Sequence, residues 1–311
     1  MSNPNPVDVQ VAALRNIWEQ YRGYAKTSRR LKAEQGQWRR LLLWCTVVAL
    51  LLTPFSKTFE TLGLGVVSSV LALLATLLFS LTAWLHKDVL GDESEQPWVR
   101  SRQTGEGLKA LAFRFLGGLS PFDALGIEVA LKQAEALAAK AGISPDSVSA
   151  SEAAERIPPA PLLVEDYLEL RVDDQILFYA NGIERERAAQ KRIVLVGRVV
   201  SAAVVAAGVL GTLVAKNWRD IWAPALGAAA SLATAQNARA RHRFLIDSYS
   251  TTQAKLKFAR ARWEGSPADV GRDHLLVETV EATLASENAG WVQQMLLKPV
   301  VPDHAPAVAA E

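Results

Sequence analysis

Leu41–Ser56 (LLLWCTVVALLLTPFS) and Thr61–Leu85 (TLGLGVVSSVLALLATLLFSLTAWL) are two charge-free runs separated only by Lys57-Thr58-Phe59-Glu60. The pattern returns as Val199–Ala215 (VVSAAVVAAGVLGTLVA), a polar turn at Lys216–Asp220, and Ile221–Ala238 (IWAPALGAAASLATAQNA). Uncharged runs of this length suit the roughly 30 Å hydrocarbon core of a bilayer. They predict an all-α membrane protein with two transmembrane helical hairpins. Its four spans fall at about 41–56, 61–85, 193–215 and 221–238. The recurrence points to a doubled two-helix unit.

Composition alone would not say this. The 311 residues are 50 % hydrophobic and 21 % charged, close to an average soluble domain, so the clustering carries the reading. Charge then orients the hairpins. Tyr21–Arg40 holds Arg22, Lys26, Arg29, Arg30, Lys32, Arg39 and Arg40 against the single acid Glu34. Arg185, Arg187, Lys191 and Arg192 precede the third run, and Arg239, Arg241 and Arg243 follow the fourth, whereas the two short turns are nearly charge-balanced. Positive residues stay on the cytoplasmic side. Both termini and the long central segment are therefore expected in the cytoplasm, with the chain in the inner membrane. Trp38, Trp84, Trp218 and Trp222 sit at run ends, as interfacial anchors do. The polar stretch Met1–Arg40 argues that the first run is a span and not a cleavable leader.

Leu41–Ser56 would rise about 24 Å as a helix, short of the core thickness, with Pro54 placed to help stop it. Arg198 enters the third run by about one turn. It is an intramembrane charge, read as snorkelling to the headgroups or as standing at a cavity mouth.

Outside the spans the pattern is helical throughout. Residues 7–40 form one amphipathic helix running into the first span, and Trp98–Leu116 forms another. Ser120-Pro121-Phe122-Asp123 opens a helix that stops near Gly142. A second long helix starts near Val164, a basic helix continues the fourth span to about Trp263, and Val270–Leu297 is the last helix. The domains expected are a first two-span repeat over 1–140, a Ser/Pro/Ala-rich linker over 141–163, a second repeat over 164–298, and a disordered tail over 299–311. Tyr24-Ala25 with Arg30 and Tyr179-Ala180 with Arg185 repeat in the same order before each hairpin.

Lipid-embedded helices associate through small residues. Ser68, Ala72, Thr76 and Ser80 form a four-residue stripe in span two, and Ala223, Gly227, Ser231 and Ala235 form one in span four. These are the helix-packing or pore-edge candidates. No midspan acid or amide lines a wide aqueous pore, so conduction would need several copies.

Catalytic chemistry has no residues to rest on. His86, His242, His274 and His304 are scattered, lone Cys45 has no partner in the chain, and no phosphate-cradling loop occurs. No enzyme activity, cofactor or metal is expected. Asp173-Asp174 diverges by about 100° on a helix and reads as solvated surface. The basic helix Arg239–Arg262 reads first as a lipid-attracted face. Without interleaved aromatics it is no nucleic-acid platform.

Trp98-x-Arg100-x-Arg102-x-x-x-Glu106-x-x-Lys109, directly after a hairpin, resembles the bacterial SLATT domains. So do Asp174-Gln175-x-x-x-x-Tyr179 before the second hairpin and Glu287-Asn288-x-x-Trp291 in the last helix. The resemblance runs over nearly the whole chain as two tandem copies. It implies a two-transmembrane effector working beside second-messenger synthetases and nucleotide sensors, one that perforates or depolarises the cell's own membrane in anti-phage conflict. It makes Trp98, Arg102, Glu106, Tyr179, Glu287, Asn288 and Trp291 helix-packing and interface residues. The partners expected are the lipid bilayer, further copies of the chain, and a separately encoded nucleotide-signal synthetase or sensor. The alternative is a membrane-anchored scaffold or signalling module recruiting partners through its cytoplasmic helices.

Overall fold

The computed structural model describes residues 6–91, 94–117, 126–214 and 241–296, with 222, 224, 227 and 228 between the last two stretches. Among the described residues all regular structure is helical. Helix α1, Pro6–Thr61, is a single 56-residue rod in which the amphipathic segment and the first apolar run share one axis. It passes through Pro54 and ends seven residues later. A mid-helix proline costs about 3 kcal/mol, and packing beyond it offsets that cost. The Ser56 hydroxyl donates to the Ser68 carbonyl at 2.9 Å, which ties the last turns to the next helix.

The turn therefore lies beyond Lys57–Glu60, which are an ion pair at 2.9 Å within the helix. Gly63, at φ 79°, takes the left-handed conformation that closes a Schellman cap. Its N–H donates to the Glu60 carbonyl, and that of Leu64 to the Phe59 carbonyl, each at 3.0 Å. Leu41–Thr61 as helix rises about 31 Å, so the expected shortfall against the bilayer disappears. Helix α2, Gly65–Trp84, returns and widens into a π-turn at Leu85–Val89.

Cys45, Ala49 and Ser56 of α1 and Ser68, Ala75 and Leu85 along the returning chain are buried. The outside of this hairpin is apolar and open: Trp44 is 65 % exposed, Val66 81 % and Leu73 60 %. A continuous exposed apolar surface of this kind marks an interaction site or a membrane-facing one. Val9–Thr61 and Gly65–Val89 are the two helices among the described residues long and apolar enough to cross a membrane.

Helices α3 (Gln96–Leu116) and α4 (Gly126–Ala141) follow, then the short α5 (Ala150–Ala154). Helix α3 runs back along α1, with Glu95 paired to Arg39 near the hairpin and Phe113 meeting Trp18 at 6.1 Å far from it. Helix α6 (Val164–Tyr167) leads through a π-turn at Leu168–Asp173 into α7 (Asp174–Val214). Helix α8 (His242–Glu264) lies antiparallel on α7: His242 Nδ1 is 2.6 Å from Glu186, Gln253 donates to the Ile176 carbonyl at 3.1 Å, and Arg260 pairs with Asp173. Helix α9, Val270–Leu296, completes the body.

Of the second apolar pair, Val199–Val214 is helical and continuous with the polar start of α7, whereas Ile221–Ala238 lies outside the described residues except at four positions. One of these, Trp222, meets Phe55 edge-on at 5.1 Å. The basic helix starts at His242 among the described residues, with Arg241 at φ 50° as its N-cap, and its expected junction with the fourth span lies outside them. The tail expected over 299–311 lies outside the described residues.

The two halves and the segment between them pack together. The halves share one core, in which Trp18 and Phe113 of the first cluster with Tyr167, Val280 and Trp291 of the second. The 141–163 segment, read as a linker, is docked along α1 by hydrogen bonds such as Tyr24 to the Ile143 carbonyl at 3.0 Å.

Candidate functional site at the seam between the halves

Three helical rows at three- and four-residue spacing face one another across the joint. Helix α3 contributes Trp98, Arg102, Glu106, Lys109 and Phe113. The α6–α7 helix contributes Tyr167, Arg171, Gln175 and Tyr179, and α9 contributes Glu281, Leu284, Glu287, Asn288 and Trp291. The seven residues that sequence reading drew from both halves thus come together in one place.

In the outer layer the Trp98 and Trp291 rings meet edge-to-face at 5.3 Å. The Arg102 guanidinium stacks 3.9 Å from the Trp291 centroid, and the Lys32 ammonium lies 5.5 Å from that of Trp98. Such cation–ring contacts contribute about 0.5–1 kcal/mol each at exposed sites and more when desolvated. Beneath them the Tyr179 hydroxyl donates to Glu287 Oε2 at 3.3 Å. Arg102, Glu106, Gln175, Tyr179, Glu287 and Asn288 line a cavity of about 20 Å³, room for one water and far below the several hundred Å³ of a small-molecule site. Glu287 Oε1 and Asn288 Oδ1 are buried without a protein partner. Burial pushes the Glu287 carboxyl up from its ordinary range, with Arg102 and the Tyr179 hydrogen bond opposing and Glu106 adding.

The inner layer is a buried ion pair. Arg171 Nε and Nη2 each donate to Glu281 at 2.7 Å, Tyr167 adds a bond to Glu281 at 3.1 Å, and the two charged side chains are only 1 % and 3 % exposed. The Arg171 guanidinium also packs 5.2 Å from the Phe113 centroid. Lys109, buried nearby, is 3.6 Å from Asp174. Burial, then Arg171, pushes its ammonium down. Arg171 sits in the Leu168–Asp173 π-turn, the kind of helix irregularity that recurs at functional positions.

Desolvating such a pair costs several kcal/mol per ion, so its net contribution to stability is small. What it does fix is the register of α6–α7 against α9. The seam is a packed joint between two helical units, with a cavity too small for a substrate.

Sequence reading missed Tyr167, Arg171 and Glu281. The available signal was the row Tyr167-Arg171-Gln175-Tyr179, polar residues at core spacing. Asp173 and Asp174 are partly exposed, as a solvated surface would have them, and both are also paired: Asp173 with Arg260, Asp174 with Lys109 and with Arg156 at 3.1 Å.

The small-residue stripe of span two divides between two faces of its helix. Ser68 packs inward, but Ala72, Thr76 and Ser80 face outward, and the Thr76 and Ser80 hydroxyls bond their own helix at 2.9 Å. A hairpin seam repeats about every 3.5 residues, so Ser68, Ala75 and Leu85 follow it while a strict four-residue stripe drifts away. In span four, Gly227 is exposed; Ala223, Ser231 and Ala235 lie outside the described residues. Arg198 is exposed on α7.

An open apolar hairpin on a helical body joined by buried charges defines a helical, membrane-associated class of protein. Residues 167–291 match the family described as SMODS and SLOG-associating 2TM effector domain 1. Residues 19–125 match DUF4231, a family of unknown function. The second half is thus similar to the SLATT family, and each half matches a different model. The SLATT match spans both downstream apolar runs, Val199–Ala215 and Ile221–Ala238. No curated protein and no solved structure matches the chain.

Proposed function

We propose that this chain is a four-span effector of a bacterial anti-phage conflict system, acting as an oligomer that permeabilises or depolarises the inner membrane. The observation that carries the reading is the match of a two-transmembrane effector model over the second apolar pair, beside a first hairpin whose outer face is apolar and exposed. With positive residues inside, both termini and the helical body are cytoplasmic. The two halves then descend from tandem SLATT-like units, each with a long helix into the membrane and an antiparallel helix back.

The body reaches far from the bilayer. Pro6–Arg40 alone spans about 52 Å of helix. Helix α8 leads away along α7, so Lys255 and Lys257 lie roughly 20 Å beyond His242. That is more than two Debye lengths at physiological salt. Lipid attraction therefore concerns Arg241 and Arg243, and the distal lysines are left for a soluble partner. A separately encoded nucleotide-signal synthetase or sensor fits that place.

Conduction requires several copies, and the outward Ala72–Thr76–Ser80 row offers a close-packing face for a neighbouring protomer. The test is expression in a bacterial host with its genomic neighbours induced, while membrane potential is recorded. Collapse of the potential supports the effector. An unchanged potential and viability, with specific capture of a soluble partner, would favour the membrane-anchored scaffold instead.

A further inference from the structure

Residues 143–156 belong to neither hairpin nor seam, yet they are held along α1 rung by rung. Asp146 takes Arg30 Nε and Nη2 at 3.0 Å each, Lys26 reaches the Ser147 carbonyl at 3.1 Å and Glu152 at 3.2 Å, and Arg22 pairs with Glu155. The Trp18 indole donates to the Glu155 carbonyl at 3.2 Å, and the Asp146 N–H donates to the Thr27 hydroxyl at 2.7 Å. Arg22, Lys26 and Arg30 form a basic row at helical spacing, and the acids meet it in reverse order, as an antiparallel strap. The fit is close enough that a Cβ on Gly23 would fall 2.9 Å from both the Asp146 carbonyl oxygen and Pro145 Cβ. At its end, Arg156 bonds Asp174 at 3.1 Å, so the strap ties α1 to the start of the second half.

We propose that this strap is an autoinhibitory latch: an intrachain acidic segment that occupies the basic row of α1 and holds the two halves in the closed seam. The chemistry suits release. The rungs are partly exposed pairs, individually weak and screened by salt, unlike the buried Arg171–Glu281 pair. Several weak rungs lift together once one end is freed, and an acidic segment of a partner protein could take the vacated row.

The docking of the strap does not depend on the pore reading and its autoinhibitory role rests on it, so the two parts of the test separate them. In detergent, limited proteolysis of the full chain reports whether 143–156 is docked. Wild type is protected at low salt. The variant R22E/K26E/R30E is cleaved there about tenfold or more faster, as local opening predicts, and so is wild type at about 1 M salt, where the Debye length is 3 Å. Adding D146K/E152K/E155K restores protection. Gly23→Val, which lifts the strap without changing charge, also speeds cleavage.

Equal cleavage in wild type and the reversal variant, or failure of the combined variant to regain protection, overturns the latch. In cells at matched expression, the reversal variant and Gly23→Val depolarise the membrane more than wild type. A cleavable strap with no gain in depolarisation overturns autoinhibition where wild type depolarises when triggered. Absence of depolarisation in every form rejects the effector reading and leaves the strap's docking to the proteolysis result.

Discussion

At the scale of single residues, the Arg171–Glu281 pair carries the sharpest consequence. Removing one partner strands a buried charge. Glu281→Ala should destabilise the body by about 3–5 kcal/mol, while replacing both with apolar residues of similar volume should recover most of that. Denaturant titration of the detergent-solubilised protein measures it. Glu287 supplies a pH signature. Its folded-state carboxyl is raised by burial, so its contribution to stability is fully present below the ordinary glutamate range and is lost as pH rises through the folded value. Between pH 5 and pH 7 wild type should therefore lose more melting temperature than Glu287→Gln does. Thermal melts of the two proteins at both pH values check this. Sequence motifs pointed to Trp98, Arg102 and Trp291 because Trp and Arg stand out in a sparse pattern. They did not point to Arg171 or Glu281, because whether a charged residue on an amphipathic helix faces water or its partner is decided by packing.

At the scale of elements, the helices were legible and one of their joints was not. Trp98–Leu116 became Gln96–Leu116 and Val270–Leu297 became Val270–Leu296, since apolar periodicity and breakers such as Gly265–Pro267 set those ends. The first turn was misplaced because Lys57 and Glu60 look like a polar break, yet at i,i+3 spacing they pair within a helix. Gly63 carries the reversal instead. The hairpin face was also decided by the 3.5-residue seam and not by residue size. Ala75 is 5 % exposed, so Ala75→Leu should overpack the α1–α2 contact at a cost of about 1–3 kcal/mol. Ala72→Leu, facing outward, should leave the protomer's melt unchanged. If Ala72 faces a second protomer, that substitution shows instead as a smaller oligomer on crosslinking in the membrane.

At the scale of the whole molecule, nothing in the apolar runs showed that the two halves share one core. Contacts between segments as distant as Trp98 and Trp291 leave no local periodicity to read. Because the halves share one core, Trp291→Ala should cost about 3–5 kcal/mol. It should also lower amide-exchange protection in α3 as well as α9. Loss confined to α9 would mean that the halves open independently. The central claim concerns what the assembled chain does to a bilayer. Its most direct measurement is ion flux from sealed anionic vesicles reconstituted with the purified protein over a range of chain-to-lipid ratios. Flux should appear and rise more steeply than in proportion to chain density, as an assembly of several copies requires. Vesicles that stay sealed at every ratio, with the protein shown to be inserted, would contradict it.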